Sequence, residues 1–94
     1  MTRLEQALNA AMERYAALPA DIRGSVIGME FRDYAGRAPM AFIQVADGAL
    51  LHQLGEVNPS RWFGEEREIS VVLRDDDGAR VEIVGWEQKA GGAA

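Results

Sequence analysis

The sequence predicts an α+β domain, one N-terminal amphipathic helix packed on an antiparallel meander of about five strands. Three observations carry this. Apolar residues recur at helical spacing over residues 2–18, and at every second residue through most of residues 26–86. Clusters of Gly, Pro, Asn and Asp separate the alternating segments at hairpin-like intervals. No second long helix is present to carry a crossover between parallel strands. With 94 residues the chain has room for one core, so residues 1–88 are expected to form a single domain and 89–94, KAGGAA, a disordered tail.

The helix is expected over residues 2–18. Thr2 and Glu5 have the spacing of a capping box, and the interior is rich in Ala. Leu4, Leu8, Ala11, Met12, Tyr15 and Leu18 form the stripe expected to face the sheet. Pro19 ends the helix, because it biases Leu18 towards extended angles. The period then becomes two. In VIGMEFR, Ile27, Met29 and Phe31 share one face, and Val26, Gly28, Glu30 and Arg32 the other. Gly36 and Pro39 mark a loop, and MAFIQVA a second strand with Phe42 on one face and Ile43 and Val45 on the other. Asp47-Gly48 reads as a hairpin turn, with ALLHQL as the returning third strand.

Residues 55–66 have no period. Asn58-Pro59 reads as the start of a single helical turn. Beyond it, Ile69, Val71 and Leu73 alternate against Glu68, Ser70 and Arg74, and the turn DDDG leads into ARVEIVGWEQ. There Val81 and Ile83 share a face, Val84 and Trp86 share the other, and Gly85 suggests a bulge.

Composition narrows the function classes. Apolar residues make up 48% and charged residues 27%, which belongs to a folded chain rather than a disordered one. There is no cysteine, which removes disulfides, thiolate nucleophiles and Cys-based zinc sites. No apolar leader and no span long enough for a bilayer is visible, so a cytoplasmic protein is expected. The net charge is −5, and residues 65–87 hold eight acids against three bases. That balance lacks the basic stripe that phosphate contacts need, so no nucleic acid is expected as a partner.

No catalytic or cofactor motif appears. The single histidine, His52, falls in a predicted strand with no nucleophile elbow around any serine. The carboxylates of GEEREI and RDDDG sit in turn-like sequence, without EF-hand spacing, and no phosphate-binding glycine loop occurs. No metal and no cofactor is expected. Asp75, Asp76 and Asp77 read as a solvated hairpin tip.

The unusual stretch is NPSRWFGEERE, where Trp62 and Phe63 stand side by side. They read first as a cap over one end of the core. Adjacent residues in an extended segment point opposite ways, so one of them is a candidate for exposure beside Arg61. The expected non-core face carries Ile43, Val45, Val72, Val84 and Trp86, too apolar for a wet face. The expectation is a non-catalytic acidic interaction module, an inhibitor, adaptor or chaperone-like homodimer. It binds a protein with a basic surface through its sheet face and the 58–66 loop. The contact residues are Arg61, Trp62, Phe63, Val72, Val84 and Trp86, and the acidic patch is Glu65, Glu66, Asp75, Asp76 and Asp77. The alternative is a small-ligand binder with Met12, Tyr15, Phe31, Phe42 and Trp62 lining an apolar pocket between helix and sheet. A third reading is an enzyme that pairs His52 with a carboxylate such as Glu56.

Overall fold

A computed structural model describes residues 2–33, 35, 36, 38–74 and 80–89, the last residue of the 38–74 segment without its side chain. The order is α1 (Arg3–Ala17), α2 (Ala20–Ser25), β1 (Val26–Arg32), β2 (Met40–Val45), a 3-10 helix (Gly48–Leu54), β3 (Asn58–Pro59), β4 (Glu66–Arg74) and β5 (Arg80–Gln88). The chain is α+β, with α1 packed on a five-stranded sheet of order β1-β2-β5-β4-β3.

The sheet is mostly antiparallel but is not a pure meander, because β2 and β5 pair in parallel. The connection between them runs through the 3-10 helix, β3 and β4. A crossover needs length off the sheet plane, and the 3-10 helix provides it without a second long helix. The third strand expected at ALLHQL is this 3-10 helix. Asp47 begins it, accepting from Ala49 N at 3.1 Å. An Asp that suits a hairpin turn suits a helix start equally well, and burial of Leu51 in the core selects the helix.

Helix α1 forms where expected. Thr2 Oγ1 accepts from Glu5 N and Glu5 Oε1 accepts from Thr2 N, both at 3.1 Å, so the capping box is complete. Leu18 is extended before Pro19. The buried stripe keeps Ala11, Tyr15 and Leu18 of the expected one and replaces the rest. Ala7, Ala10 and Ala11 face the sheet with Leu18, while Leu4, Leu8 and Met12 are half-exposed. Small side chains let the helix axis approach the strands closely, so Ala7, Ala10, Ala11 and Leu18, with Tyr15 packed beside them, define the seam, one row over from Leu4, Leu8 and Met12.

Ile22, Ala41, Ile43, Val45, Leu51, Ile69, Val71, Val81 and Ile83 complete the core. Each fully buried Ile or Leu contributes about 1.5–3 kcal/mol relative to exposure. Ile43 and Val45 therefore lie on the core face, and Phe42 on the other. Alternation tells which residues share a face, not which face turns inward. The register between Val26 and Gly28 slips by one residue, a bulge that keeps Val26 with Met29 and Phe31 at the core and turns Ile27 outward. Pairing with β4 runs unbroken through Gly85, and the ladder with β2 keeps its register up to its last pair there, so no bulge occurs.

Gly85 serves instead as a contact. A Cβ on it would lie 2.6 Å from Val45 Cγ2 and 2.8 Å from Gly48 Cα. A Cβ on Gly48 would lie 2.7 Å from the Gly85 carbonyl carbon and from Trp86 N and O. The two glycines let the 3-10 helix rest directly on strand β5.

Asn58-Pro59 is not a helical turn but the short edge strand β3, paired to Ser70 and Ile69. Pro59 cannot donate to a further strand, which suits an edge. The Asp75–Asp77 tip and the tail beyond Lys89 lie outside the described residues. Lys89 N donates to Glu65 O at 2.7 Å.

Gly48→Ala is expected to lower stability by about 1–3 kcal/mol, since the new methyl meets backbone that cannot move aside. Gly24→Ala, where a Cβ meets nothing within 4 Å, should be neutral or stabilising. Urea midpoints of the two variants check this, and equal midpoints would remove the contact from the account.

Candidate interaction surface

The face of the sheet turned away from α1 is organised in cross-strand rows. Glu30, Phe42, Glu82 and Val72 form one row. Gly28, Gln44, Val84 and Ser70 form the next, and Trp86 and Glu68 lie beyond it. Ile27, pushed outward by the bulge, is 70% exposed, and Trp86 is 45% exposed. The apolar residues of this face thus include Ile27, Met40, Phe42, Val72, Val84 and Trp86, without Ile43 and Val45. Arg32 covers the Phe42 ring at 5.9 Å and pairs with Glu30 at 2.7 Å.

The 58–66 loop adds aromatic surface at one end. Ser60 N donates to Glu68 O at 2.8 Å, and Phe63 N donates to Glu66 O at 2.7 Å. Three steps on one side span two on the other, so residues 61–62 carry an extra residue and bulge from the ladder. Gly64, at φ 67°, makes the tight return from Phe63 to Glu66.

Neither aromatic caps the core. Phe63 is 52% exposed and lies on the outer face, its ring centroid 6.0 Å from that of Trp86 and beneath the Arg61 guanidinium at 5.1 Å. Trp62 is 36% exposed and meets Arg67 at 4.5 Å and Lys89 at 5.7 Å. Because β4 alternates, Arg67 belongs to the side opposite Glu66, and the two adjacent aromatics serve opposite sides of the sheet. The core was already closed by the 3-10 helix, which left both rings free.

Arg67 continues into a second cluster. Its Nε donates to Glu87 Oε1 at 2.7 Å, and His52 Nε2 lies 2.8 Å from Glu87 Oε2, which places the proton on Nε2 against an ionised carboxylate. Burial of Glu87, only 10% exposed, raises its pKa. Hydrogen bonds from His52 and Arg67, with their charges, outweigh that and hold it below the ordinary 4.5. His52 lies on the 3-10 helix rather than a strand, and its carboxylate partner is Glu87, not Glu56. The cluster ties the 3-10 helix to β4, β5 and the loop.

The structure thus brings Arg61, Phe63 and Trp86 together, with Val84 and Val72 on the same face, and places Trp62 on the other side. Glu65 and Glu66 are exposed beside the loop. The five residues proposed for an apolar pocket do not converge: Met12 is half-exposed on α1, Phe42 is on the outer face and Trp62 is at the far rim. Ile27 and Glu68 are surface residues that sequence reasoning missed. The only local hint for Ile27 was Gly28, the residue type that marks bulges. Among the described residues no group of three potential metal-ligating side chains occurs, and no helix is long and apolar enough to cross a membrane. Comparison of the chain with protein-family models, curated proteins and solved structures finds no match.

Because the folded state holds the Glu87 proton less tightly than the unfolded chain, its contribution is complete above pH 4.5 and is lost as pH falls through the depressed value. Glu87→Gln should cost about 1 kcal/mol at pH 7, discounted for the half-exposed His52, and the gap to the wild type should be smaller at a pH below 4.5. Urea unfolding at the two pH values measures it, and a gap independent of pH would show that the cluster does not carry the acid sensitivity.

Proposed function

We propose that the protein is a non-catalytic interaction module that docks another protein on the outer face of its sheet and the adjoining 58–66 loop. The observation that carries this reading is the exposed aromatic and aliphatic surface of Ile27, Phe63 and Trp86, with Val84 lining the same groove as Ile27 and Trp86. An antiparallel sheet with helices on one face ordinarily turns polar residues to water on the other. Here the second face keeps apolar side chains with acids at its margin, the composition of a docking patch with a charged rim. Glu65 and Glu66 sit at that margin and favour a partner with a basic surface. A homodimer through the same face is the competing occupant.

Native mass spectrometry of the protein gently isolated from its own cells tests the reading. A second polypeptide in fixed ratio is expected, a homodimer would instead assign the face to self-association, and Trp86→Ala and Phe63→Ala should each weaken the complex by at least about tenfold with the fold intact. Leu8→Ala, on the half-exposed stripe of α1, should leave it unchanged. If Leu8→Ala alone disrupts the complex, or the protein is a bare monomer, the outer face is not the docking surface.

A further inference from the structure

We propose that the outer face holds a socket for an arginine side chain presented by the partner protein. The inference rests on the docking reading above and names what that partner must bring. A groove of about 220 Å³ crosses four strands, lined by Ile27 of β1, Gln44 of β2, Glu68 of β4 and Val84 and Trp86 of β5, with backbone of Gly85 at its floor. That is below the roughly 300–1,000 Å³ usual for small-molecule sites, and it suits one long side chain better than a free ligand.

The lining specifies which side chain. Ile27 and Val84 offer apolar walls for a methylene stem. Glu68 supplies the counter-charge. The other carboxylates of this face are engaged: Glu30 with Arg32 at 2.7 Å, Glu82 with Arg80 at 3.6 Å, and Glu66 with Gln88 at 2.8 Å. Among the described residues, no side chain pairs with the Glu68 carboxylate, although Glu68 stands directly opposite Trp86 across the β4–β5 ladder.

Trp86 is the second half of the seat. The protein shows what its neighbouring aromatics do with cations: Arg61 lies over Phe63, and Arg67 lies over Trp62. Among the described residues, no cation lies over Trp86. An unpaired carboxylate facing an indole that no cation of the described residues covers and that Phe63 flanks, at the end of an apolar slot, is the complement of a guanidinium on a three-carbon stem. Arginine fits better than lysine, because its flat, weakly hydrated head stacks on the ring while its fork pairs with the carboxylate.

The test uses the 94-residue chain with labelled methyl groups and indoles, observed by NMR. The probes are a blocked Gly-Arg-Gly peptide and the same peptide with citrulline, which keeps the shape and removes the charge. The arginine peptide should shift the Ile27 and Val84 methyls and the Trp86 indole N–H, and should bind at least about fivefold more tightly than the citrulline peptide. Glu68→Gln should abolish that preference with the spectrum otherwise intact, and Trp86→Ala should weaken the arginine peptide. Equal binding of both peptides, shifts elsewhere on the surface, or an unchanged preference in Glu68→Gln overturns the socket. Free arginine binding more tightly than the peptide also overturns it, by assigning the groove to a small molecule. In a complex isolated with the natural partner, loss of binding in Trp86→Ala but not in Glu68→Gln would remove the socket and leave the docking surface standing. Indifference to both substitutions would remove both.

Discussion

The approach of Gly48 to Gly85 is the constraint on which the rest of the structure depends. Strand β5 lies between β2, its parallel partner, and β4, its antiparallel one. The chain between β2 and β4 must leave the sheet at Ala46 and pass over it. It can do so at close range because neither glycine carries a Cβ at the crossing. Leu51 then reaches the core and Asp47 caps the turn. The same contact sets the site, because Trp86 is the next residue after Gly85 and is carried to the outer face by the alternation of β5.

With the inner face of the sheet covered partly by α1 and partly by the 3-10 helix, the aromatic loop has no interior to fill. Trp62 is instead held by cations, and Phe63 by Arg61 and the ring of Trp86. A guanidinium over a ring contributes on the order of 0.5–1 kcal/mol at an exposed site, enough to order a loop without burying it. Arg67 has two tasks at once, stacking on Trp62 and pairing with Glu87. Through His52 that pair also fastens the 3-10 helix. The aromatic loop and the fold are therefore linked by one short run of charged contacts. The abundance of Arg over Lys in this chain fits that arrangement, since a flat guanidinium can stack on a ring and pair with a carboxylate at once.

Among the described residues, two apolar surfaces remain outside the core, the stripe of Leu4, Leu8 and Met12 on α1 and the outer sheet face. They differ in what surrounds them. The helix stripe is a single aliphatic ridge. The sheet face combines an aliphatic wall, an indole and an unpaired carboxylate in one groove. Specific recognition needs polar groups placed among apolar ones, and only the second surface has that combination.

Local patterns in the sequence were sufficient for the capping box at Thr2 and Glu5, the end of α1 at Pro19, the strands around Phe31, Phe42, Val71 and Ile83, and the surface position of Trp86. Each depends on neighbours within a few residues, where spacing and backbone angles leave few alternatives. Strand order, the inward face of β2 and the helical fate of ALLHQL depended on packing. Asp47-Gly48 is compatible with a hairpin or a helix start, and Ala-rich α1 with either of two buried stripes. Such ties are broken only when Leu51 and the alanines find a surface to bury against. The pairings of His52 with Glu87 and of Glu68 with Trp86 join residues distant in sequence or on separate strands. A linear pattern contains no distance between such residues, so only the three-dimensional fold could bring them together.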